Sequence, residues 1–281
     1  MEYETIKFEL KENGIGILSL NRPDKLNAIS FQMEEELHDL LDNLSTNLDC
    51  RVLILRAEGR IFSAGTDLQE GLILNSKKKP EGYDQFYYLE VPEPLKRKIY
   101  HQWRISELII KIREISQPVI ALIHGSAAGG GLGFILASDI RIATPDAKFI
   151  NASINIGLTG ADMGSSYFLP RLIGMSKAAE IMYTGKALTG EEAKEIGLVS
   201  DLVDKGNLLE KGHEIAEEML TKSPLGLRLT KRAINLTLDS PSLNNVLQFE
   251  NSSIILAFSS KDMIEASTAF FKKKKPTYPL K

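Results

Sequence analysis

The sequence predicts an α/β fold, and three observations carry that prediction. Short runs rich in β-branched residues and leucine (RVLILRA at 51–57, PVIALIHG at 118–125, IRIAT at 140–144) are separated by segments of helical pattern. The first twenty residues hold two alternating runs, TIKFEL and GIGILSL, around Asn13-Gly14, the strongest short-range signal of a β-hairpin. From Thr189 onward the pattern is helical.

Taken in order, a strand pair opens the chain and NRPDKLNA comes after it. Ser30 then precedes an amphipathic helix, with Met33, Leu37, Leu40, Leu41 and Leu44 at helical spacing and Glu34 near its positive end. Residues 73–100 interrupt the strand-and-helix rhythm with charges, prolines and four tyrosines. They read as a variable insertion able to lid a site. Thr189 with its two following glutamates starts a helix; helical stretches at 207–221, after Ser223-Pro224, and over 242–270 complete the chain. The expected division is a core over 1–205 and a C-terminal helical region over 206–281 that packs on the core or on a neighbouring copy.

Composition excludes several classes. Hydrophobic residues make up 43% and charged residues 25%, which is the profile of an ordinary globular chain. Lys+Arg 34 against Asp+Glu 37 leaves a net charge of -3, so no positive field exists to hold nucleic acid. The single cysteine and four scattered histidines offer no metal-ligand spacing, and a reducing compartment is expected. The start MEYETIKFEL has no apolar signal core, and the longest apolar runs fall far short of about 18 residues. A cytoplasmic protein without membrane contact is the expectation.

GxxxxGK[ST], GxGxxG and GxSxG motifs are all absent. Two small-residue segments stand out instead, each just after a strand: FSAGTDL at 62–68 and GSAAGGGLG at 125–133. Three glycines at 129–131 suit a helix N-terminus that something approaches closely, and such a terminus favours negative charge. An oxyanion is one natural occupant; close packing of the helix is the other reading.

The strings NRPDKLNA, GRIFSAGTDL, QPVIALIHGSAAGGGLGFILASDIRIAT, AKFINASINIGL, LPRLIG and TGKALTGEEAKEIGLVS stand in the order and approximate spacing of the enoyl-CoA hydratase/isomerase, or crotonase, superfamily. The chain resembles that family over most of residues 1–205. The resemblance implies a spiral of ββα units, a homotrimer or homohexamer, and an acyl-CoA substrate, with coenzyme A part of the substrate and no separate cofactor or metal. It implies that two backbone N–H groups, by motif position those of Ala64 and Gly130, polarise the thioester carbonyl. It also places coenzyme A against Lys25, Leu26 and Ala28 and along Ser63, Ala64, Asp67 and Leu68.

The chain departs from the family pattern in its side chains. Family hydratases carry one glutamate two positions after the glycine triplet and another about twenty residues on; Gly133 and Ser153 stand there. Neither can do the work of a carboxylate at neutral pH. A carboxylate is available at Asp162 in GLTGADMGSSYFLP, a loop where some family isomerases and hydrolases place a working aspartate. Asp162 is thus the expected acid/base, with a helix cap as its competing role. A family-like aspartate nucleophile, as in dehalogenases, is a second possibility, although Ser153 replaces the tryptophan expected there and no histidine matches before Pro118. A third is a non-catalytic acyl-CoA-binding protein. Among the remaining polar residues, Asp67 reads as a cap, Asp139 as a buried strand-start residue, His124 as a satisfied core histidine, and His101 as a helix-surface histidine or one that borders the acyl pocket. Ser153 and Asn151 are candidates to hold substrate or water, Tyr83, Tyr87 and Tyr88 to line the acyl site, and Lys272 to Lys275 form either a phosphate-facing cluster or a solvated tail.

Overall fold

The computed structural model describes residues 3–72, 92–240 and 242–278. The tyrosines at 83, 87 and 88, and most of the expected insertion, lie outside the described residues. The hairpin forms as expected: β1 (Ile6–Leu10) pairs antiparallel with β2 (Ile15–Leu20), and Gly14 takes φ +93° in the turn. Next come α1 (Phe31–Thr46), β3 (Val52–Ala57), α2 (Leu68–Leu72) and α3 (Glu93–Glu114). They are followed by β4 (Val119–Ile123), β5 (Ser126–Ala128), α4 (Gly130–Ala137), β6 (Ile140–Ala143) and β7 (Lys148–Ile150). Then α5 (Ser165–Ile173), α6 (Met175–Thr184), β8 (Leu188–Thr189), α7 (Gly190–Glu195) and β9 (Asp201–Leu202) lead to the helices α8 (Leu208–Leu220), α9 (Pro224–Asp239), α10 (Leu243–Phe258) and α11 (Lys261–Phe271).

A six-stranded sheet runs β1-β2-β3-β4-β6-β9, parallel except for the opening hairpin, and a three-stranded sheet runs β5-β7-β8. The central strands are apolar without alternation because both faces are covered. Leu53 and Leu55 of β3 face a core shared with Leu37, Leu41 and Leu44 of α1 and Leu108 and Ile112 of α3. Val52 and Ile54 point the other way, into a cluster closed by Leu208 and Ala216 of α8. That helix lies beyond residue 205 and packs on the sheet itself.

The helix starts are those the capping chemistry predicts. Ser30 accepts from Met33 N, Thr189 and Glu192 form a capping box at α7, and Ser223 accepts from Gly226 N ahead of α9. One helix boundary differs from expectation. The stretch 242–270 is two helices, broken at Ser259-Ser260, where the Ser260 hydroxyl accepts from Met263 N and caps α11. A serine that can cap competes with helix continuation. Among the described residues, no helix is long and apolar enough to cross a membrane.

Candidate active site

The two small-residue segments are laced side by side. Ser63 N donates to Ser126 O (3.1 Å) and Ala128 N to Ser63 O (3.0 Å), which brings the loop after β3 against the entrance to α4. Gly65, at φ +90°, is required there: a Cβ would lie 2.8 Å from Ala128 O and 3.2 Å from Gly130 N. The Ser63 hydroxyl donates to Asn27 O (2.8 Å) and accepts from Gly65 N (3.1 Å). Ser63 is fully buried, and its hydroxyl shapes the loop.

Backbone pairing engages one of the two N–H groups expected to face the ligand. The N–H of Ala64 donates to Leu26 O at 3.0 Å and is not free. Two residues on, Thr66 bridges Ile29 in parallel register: Ile29 N donates to Gly65 O (2.8 Å) and Asp67 N to Ile29 O (2.9 Å). In such a bridge the N–H of Thr66 points away from Ile29, and among the described residues it has no acceptor. Gly130 opens α4, where the first N–H groups have no acceptor within the helix. Thr66 Oγ1 would lie 3.6 Å from a Cβ added at Gly130. The available pair of donors is therefore Thr66 and Gly130.

The close-packing reading of the glycine triplet holds at Gly131, and Gly130 opens the helix. Gly130 offers a donor, while Gly131 packs so closely that a Cβ would come within 2.6 Å of Ser63 Cβ. At Gly133 a Cβ would meet Met163 Cβ at 2.6 Å and Met163 O at 2.9 Å. Met163, buried and at φ +48°, fills the space that a side chain at 133 would need.

Asp162 does not cap the next helix. Helix α5 starts after Gly164 with no side-chain cap, and Ser165 N bonds the backbone oxygen of Asp162 (2.9 Å). The carboxylate instead accepts from Gln102 Nε2 on Oδ1 (3.0 Å) and from Ser153 Oγ on Oδ2 (2.9 Å). Ser153 thus reaches Asp162, as a residue of the expected site. Gln102 carries no motif and the sequence offers no signal for it. Asn151 is buried and donates to Gly160 O (2.8 Å), which ties down the base of the same loop.

The segment expected to receive coenzyme A is a tight corner. Leu26 and Asn27 both take positive φ (55° and 50°), and Asn27 holds them by donating to Glu58 O and Ile61 O while accepting from Arg22 N. Lys25 and Leu68 are exposed and Ala28 is half-buried. Asp67 is occupied: Oδ2 pairs with Arg22 Nη1 (3.0 Å) and Oδ1 accepts from Gln69 N (3.1 Å) at the start of α2. It frames the corner, as the cap reading expected.

Two other histidines and an aspartate find definite places. His124 Nε2 meets Gly59 O at 3.0 Å, and burial holds its pKa below the ordinary value. Asp139 accepts from Val119 N (2.8 Å) and pairs with Arg113 and Lys231 (2.9 and 3.1 Å). His101 is not on the surface: its ring stands edge-on to Phe31 (4.6 Å between centroids), and Nδ1 lies 2.9 Å from Glu34 Oε2. Burial raises the pKa of Glu34, with the histidine opposing. Lys272 to Lys275 are exposed.

A family model described as enoyl-CoA hydratase/isomerase matches residues 10–280. The chain belongs to that family. Among relatives of this enoyl-CoA hydratase/isomerase family member, a Mycobacterium tuberculosis protein named as a probable enoyl-CoA hydratase is 39% identical over 220 residues, 77% of this chain and 72% of that protein. The peroxisomal Delta(3,5)-Delta(2,4)-dienoyl-CoA isomerase of Arabidopsis thaliana is 35% identical over 232 residues, 82% of this chain and 81% of that one. The solved enoyl-CoA hydratase of Bacillus anthracis superposes with a TM-score of 0.86 at 31% identity, covering 99% of this chain and all of that one. That match establishes the crotonase-type α/β fold of this family member.

Proposed function

We propose that this chain moves the double bond of an enoyl-CoA thioester, with Asp162 as its one proton carrier and the N–H groups of Thr66 and Gly130 on the thioester oxygen. The observation that carries the reading is the Asp162 carboxylate, accepting on both oxygens and free of a capping role, beside a Gly133 whose side-chain space is filled by Met163. An allylic shift removes a proton from one carbon and returns it to another, and a single carboxylate reaches both in turn. Negative charge gathers on the thioester oxygen meanwhile, and two fixed donors lower that barrier by about 3 kcal/mol or more. Addition of water asks for a second carboxylate to hold and activate the water, for which position 133 has no room. Coenzyme A would lie along 25–28 and 64–68, with exposed Lys25 placed for a phosphate. The same reading assigns the exposed apolar residues of α10 and α11, among them Ile255, Phe270 and Phe271, to contacts between copies in a homotrimer or homohexamer.

The test is mass spectrometry of linear and cyclic enoyl-CoA thioesters incubated with the protein in deuterium oxide enriched in oxygen-18. Deuterium without oxygen-18 in a surviving thioester is expected. Both labels together mean hydration and overturn the single-carboxylate reading; free coenzyme A with a labelled acid overturns the isomerase reading and makes Asp162 a candidate nucleophile. Asp162→Asn keeps the fold and lowers turnover at least about a hundredfold, and near-normal turnover would remove Asp162 from the chemistry.

A further inference from the structure

We infer that Gln102 is a positioning residue for the reacting carboxylate, and that it determines which oxygen of Asp162 carries the proton. The inference rests on Asp162 being the proton carrier. Asp162 has two side-chain partners among the described residues. Ser153 lies nine positions before it, in the short 3-10 helix Ser153–Ile156 that leads into the same segment. Gln102 comes from α3, sixty positions away in the chain, and is the residue that ties the carboxylate to a separate element.

That element is itself clamped. On either side of Gln102, His101 packs on Phe31 and pairs with buried Glu34, and Arg104 bonds Glu35 through Nη2 and Nε (2.7 and 3.2 Å) while its backbone oxygen meets His38 Nε2 (2.9 Å). All four partners belong to α1. Helix α1 begins two residues after Ile29, whose bridge to Thr66 turns the Thr66 N–H outward. A continuous path of contacts thus runs from the Thr66 donor through α1 and α3 to Asp162. It fixes the distance between the charge being stabilised and the proton being moved, on which turnover depends steeply.

The chemistry of an amide adds a second consequence. Gln102 Nε2 can donate to Oδ1 but cannot accept from it, whereas the Ser153 hydroxyl on Oδ2 can rotate between donating and accepting. With Nε2 turned to Oδ1, as in this structure, the abstracted proton is held on Oδ2. An amide also keeps its hydrogen bond in both protonation states of the aspartate, so the carboxylate stays in place through the reaction.

The test uses Gln102→Met, which removes the donor at similar size, and Gln102→Glu, which sets a like charge beside Asp162; the residue is exposed, so neither change threatens folding. Gln102→Met is expected to lower kcat about tenfold or more with KM nearly unchanged, and to have no further effect in an Asp162→Asn background. Gln102→Glu is expected to move the acidic limb of the kcat/KM profile upward by about one pH unit, because adjacent carboxylates share a proton. A wild-type kcat and an unmoved acidic limb in both variants, with Asp162→Asn inactive, overturn the role of Gln102 and leave Asp162 in place. Full activity of Asp162→Asn overturns both.

Discussion

Asp162 shows how much one residue's role depends on its partners. The same carboxylate that precedes Met-Gly-Ser-Ser-Tyr and looks like a cap is turned to Ser153 and Gln102, while its backbone oxygen serves the start of α5. Met163, next to it, uses its positive φ to fill the space beside Gly133. A longer side chain at 133 therefore has no room without displacing Met163. Even Gly133→Ala is expected to cost about 1–3 kcal/mol, the usual penalty of overpacking, because its Cβ meets a Met163 Cβ and backbone oxygen that cannot step aside. Urea unfolding of the variant checks this, and an unchanged midpoint would mean that the Met163 loop yields. At Gly130 the first obstacle is Ile29 Cδ1, 2.9 Å away at the end of a flexible side chain, so the same change there is milder.

At the scale of the elements, local chemistry and tertiary environment agree for several helices. Ser30, Thr189 and Ser223 each cap the helix that they precede, and the apolar stripe of α1 is the face that packs under the sheet. Ser30 is buried and its hydroxyl is the partner of Met33 N at 3.1 Å. Ser30→Ala is expected to lower stability by about 1 kcal/mol, or somewhat more because the freed N–H is buried. A thermal midpoint equal to wild type would show that the cap is replaced from elsewhere. The loss should also reach turnover, since α1 carries the clamp on α3. The break between α10 and α11 is less legible in the sequence, because apolar spacing continues across Ser259-Ser260 and only the cap at Ser260 ends the run.

Across the whole molecule, the C-terminal helices are joined to the sheet by a buried polar cluster. Lys231 of α9 donates to Ile112 O, Gln117 O and Asp139 (3.2, 2.8 and 3.1 Å), and Arg113 links Asp139 to Asn235 of the same helix. Burial pushes the Lys231 pKa down to about 8 from an ordinary 10.5, with Asp139 opposing. Below pH 8 the amine is charged in both the folded and unfolded states, and its burial cost is fully present. Between about 8 and 10.5 the folded state releases the proton and the unfolded state keeps it. Relative to Lys231→Met, wild type should therefore gain stability as pH rises through that window, by up to about 3 kcal/mol at roughly 1.4 kcal/mol per pH unit. Urea unfolding at about pH 7.5 and about pH 10.5, which brackets most of that change, measures it, and a difference that does not vary with pH would place the amine in a solvated state.

By itself the sequence determined the features that short-range physics sets: the Asn13-Gly14 hairpin, the buried strands, the capped helix starts, and the two small-residue segments whose order also carries the family resemblance. Backbone pairing and packing between distant segments decided the rest. Leu26 O occupies the N–H of Ala64, the register of Ile29 against Thr66 turns the Thr66 N–H outward, the approach of Met163 closes position 133, and the clamp of α3 on α1 brings Gln102 to Asp162. None of these has a local signal, because each is a contact between residues far apart in the chain, where folding of the whole molecule chooses the partner.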